Sequence, residues 1–370
     1  MKKSLFIFLM TLICSTGGII AQSKHFYSPR ASAASEVTQK IGITDVTINY
    51  SRPQVNVNGQ EREGKIYGTP VAHYGYRDAF PTFGSGNAFP WRAGANENTT
   101  ITFSTDVEIE GNPLAAGTYG LHIVLAEDGN ETLIFNKNSA AWGSFFYDEK
   151  EDALRVSIRS EAHQFTNILT YDFEEISINH SVVALKWENK KFPFRIDVAT
   201  DKLVMAKYEA KLDELNDPKE YMAAAQYCLQ NKAHYDTGLK WIDQSIALEK
   251  SFNSLSVKAG LLYRQDGIDA ALSTTDQAAE LANQAQLNQM AYQLIQLGKP
   301  EKAVEYFTMN VKRNPKDPNV HDSLGDGYKA LGEHKKAIKS FKKSLSLNPS
   351  QTVKDNSIAQ LKELGVDYNE

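Results

Sequence analysis

Cysteine is almost missing from this chain: there are two in 370 residues, Cys14 and Cys228. Cys14 lies in the apolar N-terminal segment, so a chain relieved of that segment keeps one thiol and can close no intramolecular disulfide. The fold must then rest on its cores. Long apolar runs are lacking too. No stretch after the N-terminus approaches the roughly 18 unbroken apolar residues of a transmembrane helix, and no transmembrane segment is expected. Positive charge is outnumbered, 40 Lys and Arg against 45 Asp and Glu, for a formal net charge of −5 that falls to −7 without Lys2 and Lys3. That balance argues against nucleic acid, which is held largely by neutralising phosphates. The sequence also lacks HExxH, GxSxG and the phosphate-cradling GxxxxGK[ST]. Its eight histidines (His25, His73, His122, His163, His180, His234, His321 and His334) show no zinc spacing. No metal, no cofactor and no catalytic residue is therefore expected, and an enzyme ranks behind a binding protein.

What is present begins with an address. Lys2 and Lys3 precede an apolar run from Leu5 to Ile13, followed by small residues up to Ala21. That order is the pattern of a secretory signal peptide over residues 1–21, cleaved after Ala21. Ile13 ahead of Cys14 is too bulky for a lipoprotein processing site. The expected location is the periplasm or the exterior of the cell.

From Ile41 to Val198, within an expected domain of residues 22–198, the apolar pattern has period two. Val46, Ile48 and Tyr50 share a face, as do Tyr119, Leu121, Ile123 and Leu125; Leu154, Val156 and Ile158; Leu169, Tyr171 and Phe173; Val183, Leu185 and Trp187; and Phe194, Ile196 and Val198. Such alternation predicts half-buried strands. The turn formers Glu110-Gly111-Asn112-Pro113, Glu127-Asp128-Gly129-Asn130 and Asn189-Lys190 separate them. With no helical pattern between the strands, the expected fold is an all-β antiparallel sandwich. His122 has parity opposite to its apolar neighbours and is expected at the surface or on the second face of its sheet. Val55 to Pro90 is rich in Gly, Pro and aromatics, and reads as a long cover whose rings plug one open end of the sandwich.

After Thr200 the period becomes helical, and the domain boundary is expected near residues 198–202, leaving 199–370 for an all-α half. Gly298 and Gly332, Ala303 and Ala337, Phe307 and Phe341, and Pro315 and Pro349 are each 34 residues apart. With Leu324-Gly325 and Tyr328 these positions resemble the tetratricopeptide (TPR) family, with His321 where Trp is usual. The clearest units are 284–317 and 318–351. Degenerate ones are expected around Ala259, Ala271 and Ala278, and around Ala225, Gly238 and Trp241, with Val353 to Leu364 as a capping helix. The resemblance implies an all-α solenoid that binds a protein or peptide along the first helix of each hairpin. The groove candidates are Asn288, Gln289, Tyr292 and Gln296, then Asp322, Asp326 and Lys329. Asp322 and Asp326 would repel a peptide carboxylate, so a neutral or basic segment is the expected ligand. Lys335, Lys336, Lys339, Lys342 and Lys343 read as a solvated convex stripe.

One polar cluster stands out in the β half. Trp91, Arg92, Asn96 and Glu97 follow the long loop, and Arg52 precedes it. A tryptophan platform beside arginine forks suits a carboxylate or a sugar; equally, Arg52 or Arg92 could pair with Glu97 to fasten the loop ends. Carbohydrate or envelope-polymer binding, or hydrolysis with Glu97 as acid or base, is the alternative this cluster raises.

Tyr50-Ser51-Arg52-Pro53, Gly59 to Ile66, Trp91 to Glu97, Ala116 to Leu121, Ile134-Phe135-Asn136-Lys137, Trp142-Gly143 and Leu185 to Glu188, taken in order, resemble the bacterial domain-of-unknown-function 2911 family over roughly residues 27 to 198. Ser28-Pro29-Arg30 departs from members with a histidine after Ser-Pro. The resemblance implies an exported all-β domain often met with TPR repeats, and no activity. An exported binding scaffold is the function these features predict.

Overall fold

The computed structural model describes residues 30–57, 59 and 61–368. The signal-peptide segment 1–21 and His25 lie outside them. The chain divides into two compact units, one ending at Leu203 and the other starting at Val204.

The first unit is a sandwich of two antiparallel sheets. A six-stranded sheet runs β1-β2-β3-β6-β7-β8, built from Ala33–Ile41, Thr44–Arg52, Thr100–Phe103, Gly117–Val124, Asn130–Asn136 and Asp152–Arg159. A four-stranded sheet runs β5-β4-β10-β9, built from Asn112–Leu114, Val107–Ile109, His180–Asp197 and Glu161–Glu174. Alternation decides which residues meet between the sheets. Ile48, Ile101, Leu121, Leu133 and Phe135 come from the first sheet, and Leu169, Leu185, Trp187, Phe194 and Ile196 from the second; all belong to one buried cluster.

Two expectations are corrected here. Asn189-Lys190 makes no turn: the two strands foreseen around it are one, the 18-residue β10. Its pairing with β9 shifts register on both sides of Glu188, whose φ of 52° bends the strand. A bulge absorbs the polar interruption that looked like a chain reversal. The long cover, Val55 to Pro90, also does more than close one end. Val55, Ile66, Tyr67 and Ala72 enter the main core, with the Tyr67 hydroxyl donating to the Trp187 carbonyl at 2.9 Å. Phe80, Phe83 and Phe89 instead gather around Phe145, where ring centroids lie 5.2–5.4 Å apart. Phe89 there shares a second cluster with Ile134 and Tyr147. Because Ile134 has parity opposite to Leu133 and Phe135, this second cluster sits on the outer face of the six-stranded sheet.

In the second unit, after α1 (Thr200–Leu215), eight helices pair as hairpins: α2–α3 (Pro218–Asn231, Tyr235–Leu248), α4–α5 (Phe252–Asp266, Ile268–Leu281), α6–α7 (Gln284–Gln296, Pro300–Arg313) and α8–α9 (Pro318–Ala330, His334–Leu345). Helix α10, Gln351–Glu363, follows. Asp217 and Asp317 cap α2 and α8 by accepting backbone N–H bonds, with a proline at the first helical turn of each. The α8–α9 hairpin is tight because residue 325 is glycine, set directly against the Phe341 ring. His321 replaces the usual Trp with a hydrogen bond, its Nε2 donating to the Pro315 carbonyl at 2.9 Å. The all-β antiparallel sandwich is thus followed by a TPR solenoid. Lys335, Lys336, Lys339, Lys342 and Lys343 are all exposed.

Candidate functional site

The first helices of two hairpins, α6 and α8, carry the predicted groove residues, and α10 follows them in the array. A spacing of 34 residues puts equivalent side chains side by side on neighbouring helices, and several of them bond across that gap. The Tyr292 hydroxyl donates to Asp326 at 2.8 Å. Asn356 and Ser357 donate to Asp322 at 2.8 and 2.5 Å. Lys329 reaches Gln360 at 2.5 Å and also pairs with Glu363. Tyr292, Asp322, Asp326 and Lys329 are therefore rungs between helices, and the two carboxylates are engaged from within the chain.

Burial sets their electrostatics. Asp326 is pushed up to about 6, first by desolvation and further by the neighbouring Asp322, against the Tyr292 hydrogen bond and Lys329. Burial likewise raises Asp322, against the bonds from Ser357 and Asn356. A carboxylate pair so placed is a poor seat for another anion.

The open part of this face is uncharged. Asn288 and Gln289 line a recess of about 590 Å³ together with Asn283, Gln284, Ala285 and Asn319. Asn288 occupies the position equivalent to Asp322 and Asn356, yet its buried Oδ1 has no donor among the described residues. Gln296 is exposed at the far end of α6. Sequence reasoning missed Asn283, Gln284, Ala285 and Asn319. The repeat offset relates Ala285 to Asn319, 34 residues apart, but neither is a groove candidate by pattern; Asn283 and Gln284 lie at the loop-to-helix corner, where consensus residues are silent. A second, more apolar groove of about 190 Å³ lies across α4, α5 and α6, between Tyr263, Met290 and Leu297.

In the β half, the structure does not assemble the predicted ligand cluster. Trp91 is 3 % exposed and stacks on Trp187 with centroids 6.0 Å apart and planes 11° from parallel. It leaves no face for a sugar. The Arg52 guanidinium donates to the Leu169 carbonyl and Thr170 Oγ1, at 3.1 and 2.7 Å, tying β2 to β9. Arg92 donates to the Asn96 carbonyl at 2.5 Å and lies over the Phe145 ring, 4.6 Å from its centroid. Asn96 donates to the Ser32 carbonyl. Glu97 pairs with Arg30 at 2.5 Å, and with neither Arg52 nor Arg92 as foreseen. These residues fasten loops to the sandwich.

His122 corrects another expectation. It faces outward from the six-stranded sheet but is only 1 % exposed, because the segment around Ser144 covers it; its Nδ1 is 2.9 Å from Ser144 Oγ. Burial, and then the nearby Arg92, lower it to about 3. A histidine that reluctant to take a proton is a feeble general base, so the buried pair lacks the chemistry of an activated serine. Among the described residues no group of three or more His, Cys, Asp or Glu is placed to hold a metal, and no helix is long and apolar enough to cross a membrane.

Comparison with known proteins finds a family match in each half. Residues 32–196 match the family described as protein of unknown function (DUF2911), and residues 319–351 match the tetratricopeptide repeat. The chain joins a DUF2911 domain to TPR repeats. Among curated proteins, Superkiller complex protein 3 of Mus musculus is 27 % identical over 135 residues, a match covering 36 % of this chain and 8 % of that protein. Among solved structures, YrrB, titled a TPR protein with an unusual peptide-binding site, is 15 % identical, covering 42 % of this chain and 82 % of its own, with a TM-score of 0.30. The C-terminal part of a TPR repeat-containing protein from Cytophaga hutchinsonii is 22 % identical, covering 44 % and 71 % respectively, with a TM-score of 0.31. The DUF2911 family description names no activity. TPR repeats are protein-interaction scaffolds, and the helical half is built as one.

Proposed function

We propose that this is an exported scaffold whose TPR half holds an uncharged or basic segment of a protein partner against α6 and α8. The observation that carries this is the amide-lined recess at Asn288 and Gln289. Carboxamides offer both a donor and an acceptor, which suits the N–H and C=O of an extended chain. The neighbouring carboxylates Asp322 and Asp326 disfavour an acidic segment. Lys2, Lys3 and the apolar run ending at Ile13 support export, with a mature chain starting at Gln22 in the periplasm or outside the cell. N-terminal sequencing of the purified mature protein checks that start; an intact Met1 would refute it.

The binding reading is tested by a photo-crosslinking residue placed at Gln289 in the full chain and, as a control, at Lys339 on the exposed stripe of α9. Irradiation in the producing cell should trap a discrete protein adduct at 289 and none at 339. Equal or absent adducts at the two positions would overturn the assignment of the recess. Trp91, Arg92, Asn96 and Glu97 are spent on internal contacts, so the partner reading does not involve them.

A further inference from the structure

The outermost strand of a sheet presents a row of unpaired backbone groups, and folds protect such edges by a few known means. Three of the edge strands in the β half show them. β5 is three residues long and contains Pro113. β9 is crossed by the segment after β2, where Val55 N–H donates to the Asn167 carbonyl at 2.7 Å and Leu169 N–H to the Pro53 carbonyl at 2.9 Å. β8 presents Arg155 and Arg159, two charges of one sign, at exposed positions. The remaining edge, β1, is different. It runs nine residues beside β2 with no register shift and no proline, and no backbone hydrogen bond from another described segment reaches it.

Alternate residues of an antiparallel strand turn N–H and C=O together to one side, so β1 is open to a second strand along its length. Its side chains specify which strand. Val37 and Ile41 pack toward the core, while Ala34, Glu36, Thr38 and Lys40 alternate with them and are exposed. Pairing two copies antiparallel about a two-fold axis at Thr38 sets Glu36 of each opposite Lys40 of the other. Glu36 has no ion-pair partner among the described residues. Lys40 meets Asp45 of its own chain at 2.6 Å, in a pair at least half exposed, and such pairs contribute little. A one-residue slip would turn the core-facing side chains of one copy outward relative to the other. A two-residue slip would face Glu36 with Thr38 or Gly42, so one register alone matches the charges.

The same axis sets Gly42 opposite Ala34. The Ile178 carbonyl lies against Gly42, 2.6 Å from where a Cβ would stand, and Ile176 and Ile178 are 56 % and 65 % exposed. This end of the edge therefore brings exposed apolar surface toward the exposed Ala33 and Ala34 of the second copy. We infer that β1 is a self-association edge, through which two copies of this chain join their six-stranded sheets into one continuous antiparallel sheet. A strand carrying both signs at mirrored positions is its own complement, which favours a second copy over an unrelated strand. The inference draws on the β half alone and stands or falls without the TPR recess.

Analytical ultracentrifugation of the full chain, as purified from the producing cell, tests it over a range of concentrations. A monomer–dimer equilibrium is expected, with hydrogen exchange of the β1 amides slowing as the dimer forms. Glu36→Lys changes an exposed residue and leaves the core alone; it should raise the dimer dissociation constant by about fivefold, since like charges directly opposite repel. Lys40→Glu should do the same. The double variant, Glu36→Lys with Lys40→Glu, should return to the wild-type affinity, a rescue that a merely weakened strand would not show. A wild-type chain that stays monomeric at every concentration, or a dimer whose β1 amides exchange as fast as the monomer's, would overturn the assignment. So would single variants that dimerise as well as the wild type, or a double variant no tighter than the single ones.

Discussion

Gly325 shows how much of the helical half hangs on single atoms. A Cβ added there would lie 2.5–2.7 Å from three carbons of the Phe341 ring, which is itself fully buried. The ring cannot retreat without moving its own helix. Gly325→Ala should therefore destabilise the α8–α9 hairpin by about 1–3 kcal/mol, the usual cost of overpacking, despite alanine's better helix propensity. Urea unfolding followed at 222 nm checks it, and an unchanged or higher midpoint would contradict the packing argument. This glycine was legible in the sequence, because the repeat pattern states which positions must be small. Trp91 was not. It sits outside any strand, joined to Ile123 by an isolated bridge, so no alternation marked it as inward-facing. A tryptophan flanked by Arg92 and Asn96 then read as a binding platform, while the ring that claims it, Trp187, is nearly a hundred residues away. His122 failed for a related reason. Its parity named the correct face, but the cover over that face is the Ser144 segment, and a contact of that kind has no local signature.

At the scale of elements, the 34-residue offset both predicted the hairpins and concealed part of their wiring. It located α6 to α9, while the capping helix followed from the need to seal the end of the stack. Yet the same offset that lines up groove residues also brings them within bonding reach of their counterparts, so Tyr292, Asp322, Asp326 and Lys329, candidate ligands by position, also brace helix against helix. The final helix α10 supplies the last set of braces and an apolar seal: Leu361 is fully buried against Ala337 and Phe341. Leu361→Ala should cost about 2–5 kcal/mol through lost burial and the cavity left behind. Because repeat arrays unfold unit by unit, the loss should concentrate at one end. Hydrogen exchange measured by mass spectrometry should quicken in α8, α9 and α10 while α2 and α3 keep their protection. Uniform acceleration across all helices would show that the array has no such end-wise independence. In the β half, the bulge at Glu188 is the counterpart lesson. Period-two patterning located both stretches of β10, but a polar pair between two apolar runs has the same appearance whether the chain reverses or merely kinks.

For the whole molecule, the two halves carry opposite responses to acid. His122 is lowered to about 3 from an unfolded value of 6.5, so the unfolded chain takes a proton that the folded one refuses as pH drops below 6.5. The folded β half loses stability through that window, by about 1.4 kcal/mol per pH unit at most. Asp326 is raised to about 6 from 3.8, and here the folded state holds the proton more tightly. Its contribution is complete below 3.8 and is lost as pH rises through 6, with Asp322 acting in the same sense. Going from pH 7.5 to pH 5 should then weaken the sandwich by about 2 kcal/mol and strengthen the solenoid by about 1 kcal/mol, the difference of one proton in each case. The two can be watched separately, since Trp91, Trp142 and Trp187 lie in the first unit and only Trp241 in the second, while ellipticity at 222 nm follows the helices. His122→Asn, which can still bond Ser144, should flatten the fluorescence-detected pH dependence without moving the helical one. Asp326→Asn should do the reverse. If both signals shift together in either variant, the assignment of these two titrations to separate halves is wrong.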